Sequence, residues 1–185
     1  MKNIIILSIA MLCLMGCNRK LKRTDTKLKR IEQPFTSAKY FSDKKHYRST
    51  GEGRAQDLTV AKRIAETNAR QAIASQIEVK VRSVGEQFLQ NRSISNKLET
   101  TTKYEDVTRT VIDNTLTSLK IINQDSYQNK KGEYVHYVAM EMATSEVADK
   151  MVEGISTDEQ LKQDFELERF RKIYNEELEN FKNER

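Results

Sequence analysis

From Asp57 onward, small and apolar positions recur every three to four residues. Ala61, Ile64 with Ala65, Asn68, Ala72 and Gln76 share one face, while Arg63, Glu66 and Arg70 project away from it. The spacing predicts a helix that begins at Asp57, whose carboxylate suits an N-cap. Ala61, Ala65, Ala69 and Ala72 give that helix a small-residue face able to lie close on a sheet, and Asn68 reads as a buried amide satisfied by backbone groups. Lys62, Glu66 and Arg70 are spaced for charge pairs on the exposed side. From Ile77 the period shortens to two. Ile77, Val79 and Val81 alternate with Glu78, Lys80 and Arg82, the pattern of a half-buried strand. Val84 breaks the phase, which places a bulge near Ser83–Gly85, and Phe88 and Leu89 extend the strand. Asn91–Asn96 is a turn candidate.

Residues 99–118 carry two signals. The threonines, Tyr104 and the valines favour strand by propensity, yet Val107, Val111 and Thr115 are helically spaced. The reading adopted is a returning strand near 97–104 and a helix near 105–118. Leu119–Tyr127 and Tyr134–Met142 then form a hairpin around Gly132. Tyr134, His136, Val138, Met140 and Met142 make one face of its second strand, and Val135, Tyr137 and Ala139 put apolar residues on the other, so that strand is expected to be central. Thr144 or Ser145 is placed to cap a short helix ending at Gly154, and Ser156 or Thr157 a longer one reaching about Lys182. In the latter, Leu167, Phe170, Tyr174 and Phe181 form a heptad-like stripe widened by Leu161, Phe165, Ile173 and Leu178. That stripe packs on the domain or pairs with another chain. Upstream, Gly51-Glu-Gly53 signals a turn. Tyr40-Phe41 or Tyr47-Arg48-Ser49 could supply a short edge strand before it, and Phe35, Tyr40, Phe41 and Tyr47 are expected to dock on the domain.

The amino terminus changes the picture from fold to location. Lys2 precedes an apolar run from Ile4 to Leu14, too short for a membrane-spanning helix of about 20 residues and fitting a secretory signal. It ends in Leu14-Met15-Gly16-Cys17, which resembles a bacterial lipobox. The resemblance implies cleavage before Cys17 and lipidation of that cysteine. Cys13 would leave with the signal peptide, so the mature chain would have no free thiol, disulfide or cysteine metal ligand. Charge is uneven: residues 18–48 hold eleven Lys/Arg against three acids, and residues 157–185 nine acids against six bases. A basic segment beside a lipid anchor points to an anionic membrane surface. Nucleic acid, the other partner for such a run, is not expected outside the inner membrane.

Catalytic chemistry is not visible. Gly51-Glu-Gly53 is followed by Arg54-Ala55 and lacks the Lys-Ser/Thr of a phosphate-binding loop or the third glycine of a dinucleotide loop. His46 and His136 are the only histidines, with no spacing for a metal site. His136 reads as a satisfied sheet residue. No nucleophile motif appears, so neither a catalytic residue, a cofactor nor a metal is expected, and the chain is not expected to be an enzyme.

Gly51-Glu-Gly53, then Ala61, Ala65, Asn68-Ala69-Arg70 and Ala74-Ser-Gln-Ile77-Glu-Val79, with Leu119-Lys-Ile-Ile and Lys131-Gly132-Glu-Tyr134-Val-His-Tyr137-Val-Ala-Met140 further on, resemble the LPP-twenty lipoprotein family, related to the N-terminal domain of the flagellar T protein. The resemblance covers about residues 47–150. It implies an α+β layer of helices on an antiparallel sheet in an outer-membrane lipoprotein. The expected organisation is a signal peptide at 1–16, lipidated Cys17 and a basic tether over 17–46, an α+β domain over 47–154, and an amphipathic helix over 155–185. In that domain the alanine-rich helix and a second helix pack on the sheet. Asn18 after Cys17 is not the Asp that commonly retains lipoproteins in the inner membrane, and no acidic export-like run follows. An outer-membrane anchor facing the periplasm is therefore expected. The function expected is a membrane-tethered interaction or assembly module, whose partner is an envelope protein or a second copy. Binding of a small ligand or cell-wall fragment in a pocket between helix and sheet is the alternative.

Overall fold

A computed structural model describes residues 33–90, 96–179 and 181. Over these the chain runs β1 (His46–Ala55), α1 (Leu58–Gln90), α2 (Lys97–Thr115), β2 (Lys120–Gln128), β3 (Tyr134–Ala143), α3 (Thr144–Thr157), α4 (Glu159–Asp164) and α5 (Leu167–Glu179). The strands form one antiparallel sheet in the order β1-β3-β2, so β3 is central and the fold is α+β. The hairpin lies where its alternation and Gly132 put it. Gly132 takes φ +81°, and Asn129 Oδ1 accepts from the Lys131 and Glu133 amides at 2.9 and 3.1 Å.

Gly51 and Gly53 lie inside β1 rather than in a turn. Their role is proximity. A Cβ on Gly51 would stand 2.0 Å from the Ala65 carbonyl oxygen, and one on Gly53 2.0 Å from that of Ala61. Ala61, Ala65 and Ala69 are fully buried opposite them. Strand and helix therefore meet nearly backbone to backbone, with a methyl group as the largest spacer.

The expected strand from Ile77 is instead the second half of α1, which continues to Gln90. The alanine row extends as Ile73, Ile77, Val81, Val84 and Phe88, one buried residue per turn. Steps of four wind slowly around a helix, so this stripe drifts and mimics alternation over a short window. Val79 separates the two readings. A strand would bury it beside Ile77 and Val81, whereas two helical steps turn it about 200° away, and it is 65% exposed. The expected bulge at Ser83–Gly85 is likewise helical. Gly85 sits against the ring of Tyr104, where a Cβ would come within 2.3 Å.

The strand expected near 97–104 is also helical: α2 covers the whole stretch, followed by a short 3-10 turn at Leu116–Ser118. Thr100, Tyr104, Thr108, Val111 and Thr115 form its buried face. Threonine hydroxyls would be orphaned there, but they bond carbonyls one turn back. Thr100 donates to Asn96 O at 3.1 Å, Thr108 to Tyr104 O at 2.8 Å and Thr115 to Val111 O at 2.8 Å.

The C-terminal region is not one long helix. Thr144 does not cap α3; its hydroxyl donates to Lys44 O at 2.8 Å, and α3 runs past Gly154 to Thr157. Asp158 then caps α4, its carboxylate accepting from the amides of Gln160 and Leu161 at 3.0 and 2.9 Å. The chain breaks at Phe165, which leaves helical geometry and stacks between two rings, Phe88 at 4.3 Å and Tyr104 at 5.2 Å. Phe170, Tyr174, Leu178 and Phe181 are buried in the core shared with α1, β1 and β3. The Tyr47 phenol donates to Tyr174 Oη at 2.9 Å, and Tyr174 donates to Thr144 O at 3.1 Å. The tail stripe thus packs in cis, and every described core residue lies between Phe35 and Phe181.

The glycine contact makes a direct prediction. Gly51→Ala or Gly53→Ala should lower unfolding stability by about 3 kcal/mol or more, because a methyl must displace helix backbone. Gly132→Ala, strained only through its φ, should cost about 1 kcal/mol. Urea denaturation of the three variants checks this, and comparable losses at all three would refute the close-contact account.

Candidate functional site

The two edges of the sheet are treated differently. On β1, side chains stand in for a missing strand. The Arg48 amide donates to Ser42 Oγ at 2.7 Å, Ser42 donates to Gln76 Oε1 at 2.5 Å, and Gln76 Nε2 donates to Arg48 O at 3.2 Å. Asn68 Nδ2 donates to Glu52 O at 2.8 Å. Asn68 therefore serves backbone, as its sequence position suggests, but from an exposed position rather than a buried one. These contacts use the outward-facing groups that make an edge strand prone to pairing.

Among the described residues no strand covers β2 on its outer side, and all nine of its residues are exposed. Ile121, Ile122 and Tyr127 stand 43, 37 and 51% exposed. The register slips between Ile121 and Asn123, so Ile122 is a bulge residue without a partner on β3. Beyond it, Asn123 to Gln128 runs regularly along β3. The signal in the sequence was the polarity of Asn123-Gln-Asp-Ser126 on both faces, which a covered strand would not carry.

The outer face of the sheet is crossed by the segment that enters the domain. Phe35 takes φ +62°, a conformation costly for a bulky residue, and packs on Tyr40 with ring centroids 5.0 Å apart. Both rest on Ala139 and Tyr137. Asn123 Nδ2 donates to Tyr40 Oη at 2.7 Å, tying β2 to this strap. Of the four aromatics expected to dock, Phe35, Tyr40 and Tyr47 are buried and Phe41 is half exposed. Arg48 closes the far side, reaching Glu141 at 2.8 Å and Asp43 at 2.7 Å. Partial burial opposes ionisation of Asp43, but Arg48 and the Lys45 and His46 amides hold its carboxyl below the usual range. Tyr127 meets Tyr137 edge-on at 6.0 Å on the same open face.

His136 is 1% exposed, beneath α1. Its Nδ1 lies 2.8 Å from Ser126 Oγ, while Nε2 has no partner among the described residues. It is therefore half satisfied, not fully satisfied as expected. Burial pushes its pKa down and Lys62 adds to this, with Glu66 and Asp125 pulling the other way. A serine–histidine pair is one part of a nucleophilic site. Among the described residues no carboxylate bonds the free ring nitrogen, so the third member of that arrangement has no counterpart among them. Among the described residues no cluster of His, Cys, Asp and Glu could hold a metal ion, and no helix is long and apolar enough to cross a membrane. Cys17, Cys13 and the basic residues Arg19–Arg30 lie outside the described residues.

The depressed His136 pKa has a defined sign. The unfolded state takes up the proton first as pH falls, so stability is unchanged above about 6.5 and declines below it. Urea midpoints should fall between pH 7 and pH 5, and His136→Gln should flatten that decline; parallel curves for the two proteins would refute it. Comparison with family models, with curated proteins and with solved structures finds no match to this chain.

Proposed function

We propose that the chain is a non-enzymatic lipoprotein of the cell envelope, held in the outer membrane through Cys17 and facing the periplasm, whose domain binds a partner protein. The observation that carries the interaction reading is the asymmetry of the sheet. Ser42, Asn68 and Gln76 close the β1 edge, while β2 is left open with Ile121, Ile122 and Tyr127 exposed. An open edge binds an extended segment through main-chain hydrogen bonds, with alternate side chains setting specificity. The terminal helix, whose stripe is buried, is no longer the expected contact. The resemblance of Gly51–Val79 and the hairpin to the LPP-twenty family supports the envelope assignment, as does the Leu14-Met-Gly-Cys17 run.

The sixteen residues from Cys17 to Glu32 extend at most about 55 Å, so the domain would work close to its membrane. Arg19, Lys20, Lys22, Arg23, Lys27, Lys29 and Arg30 would add about 1 kcal/mol each against an anionic leaflet. The ligand-binding alternative loses the space it needs along Gly51–Gly53, where helix and strand backbones touch.

Two measurements test this. Cys17→Ser should move the protein from the membrane to the soluble fraction, and unchanged fractionation refutes the anchor. A photo-crosslinking residue at Ile122 or Tyr127 should give discrete adducts in cells that the same residue at Glu168 does not. Equal labelling at the three positions would remove the β2 edge from the account.

A further inference from the structure

On an antiparallel strand the main-chain groups of successive residues point to opposite neighbours. On β1 the outward groups of Arg48 and Glu52 are taken by Ser42, Gln76 and Asn68. Their partners on β3, Glu141 and Tyr137, therefore turn their own groups toward β2, opposite Lys120 and Asp125. The alternation leaves Gln124, Ser126 and Gln128 with main-chain groups pointing away from the sheet. One of these groups is already used, because the Gln124 amide donates to Asn123 Oδ1 at 2.9 Å. The ladder open to a new strand is thus centred on Ser126, whose N–H and C=O face outward together.

The side chains flanking Ser126 decide what such a strand should carry. Ser126 itself turns inward, to His136 at 2.8 Å. Asn123, Asp125 and Tyr127 share the outer face, where Asn123 reaches Tyr40 and Tyr127 meets Tyr137. Tyr127 is half exposed. Asp125 is the one charge between Asn123 and Gln128. Among the described residues its carboxylate has no ion pair or hydrogen bond. Lys120, the other charge on β2, stands opposite Glu141 beyond the slip at Ile122, and Lys39 of the strap lies over the Tyr40 ring.

Resting on the reading of β2 as an open edge, we infer that its partner is an extended protein segment with lysine or arginine two residues after an aromatic or large aliphatic side chain. Added antiparallel, with its middle residue opposite Ser126, this segment lays the apolar side chain on Tyr127 and the base beside Asp125. Main-chain bonds hold it, and the two side chains set register and choice of partner. A second copy's β2 does not supply this, since its Asn123–Gln128 stretch holds no base. The chain's own Leu21-Lys22-Arg23 and Leu28-Lys29-Arg30 have the same spacing, so the test includes a chain without them.

The probe is a fluorescent peptide, Gly-Ser-Thr-Phe-Thr-Lys-Thr-Ser-Gly, read by anisotropy. The protein is residues 17–185 carrying Cys17→Ser, which include every described core residue. The peptide should bind at micromolar concentrations. Glutamate in place of its lysine should weaken binding about fivefold or more, and Asp125→Lys should reverse that preference. Moving the lysine next to the phenylalanine, onto the other face, should weaken binding about as much. N-methylation between phenylalanine and lysine removes the amide that meets Ser126 and should abolish binding, whereas N-methylation of the lysine, whose amide points away, should leave it within about twofold. Tyr127→Ser should weaken it about threefold. Equal binding of the lysine and glutamate peptides, or no reversal with Asp125→Lys, overturns the inference and leaves the edge as a binding surface. Indifference to lysine position or to N-methylation overturns it as general charge attraction. Absence of binding overturns it too, and crosslinking at Tyr127 in cells then shows whether the edge itself stands. About tenfold tighter binding once residues 18–32 are deleted would assign the edge to that segment, and self-association lost with Asp125→Lys would assign it to a second copy; either result overturns the inference.

Discussion

The contact of β1 with the first half of α1 sets the geometry of everything else. Where Gly51 and Gly53 face Ala61, Ala65 and Ala69, the two backbones approach to the limit that atoms allow. That approach fixes the height of the helix above the sheet. It also brings Asn68 and Gln76 within reach of the strand edge, where a helix standing a normal 10 Å off a sheet would hold them too far away. Further along, the same helix carries larger residues, Ile73 to Phe88, where it meets α2 and the tail. One helix therefore does two jobs in sequence. It lies flat on the strand through small residues and then anchors a helical layer through large ones.

The tail locks this arrangement. Phe165 leaves its helix to stack between Phe88 and Tyr104, joining α1, α2 and the α4–α5 junction in one aromatic column. Tyr47 and Tyr174 continue the connection to β1 through a chain of buried phenols ending on Thr144 O. Burial raises the pKa of both phenols, so they remain neutral donors. A charged, solvent-friendly segment by composition is thus structural by position, and its acidic residues face outward around a buried stripe.

What could be read in advance follows from how local each signal is. The β2–β3 hairpin was legible because alternation, Gly132 and the polar Gln128–Lys131 stretch all act within a few residues. The start of α1 was legible for the same reason. Its second half was not, because Ile77, Val79 and Val81 alternate over a window shorter than one drift of the four-residue ridge; only tertiary packing distinguishes Val79 from its neighbours. The threonines of α2 misled through propensity, which does not count the carbonyl one turn back that each hydroxyl finds. Gly51 and Gly53 read as a turn because a sequence shows that a glycine is needed, not whether the need is a bend or a close neighbour. The open β2 edge required the strand order, which no single segment contains.

The bulge at Ile122 gives the open edge a further property. A sheet edge that accepts any strand can template further copies. Ile122 interrupts the ladder next to the apolar pair, leaving only Asn123 to Gln128 in regular register. An incoming strand can extend over about six residues, most of them polar, before the slip stops it. Asp125 sits within that stretch, and its charge opposes the like-on-like stacking that fibre growth from an open edge requires.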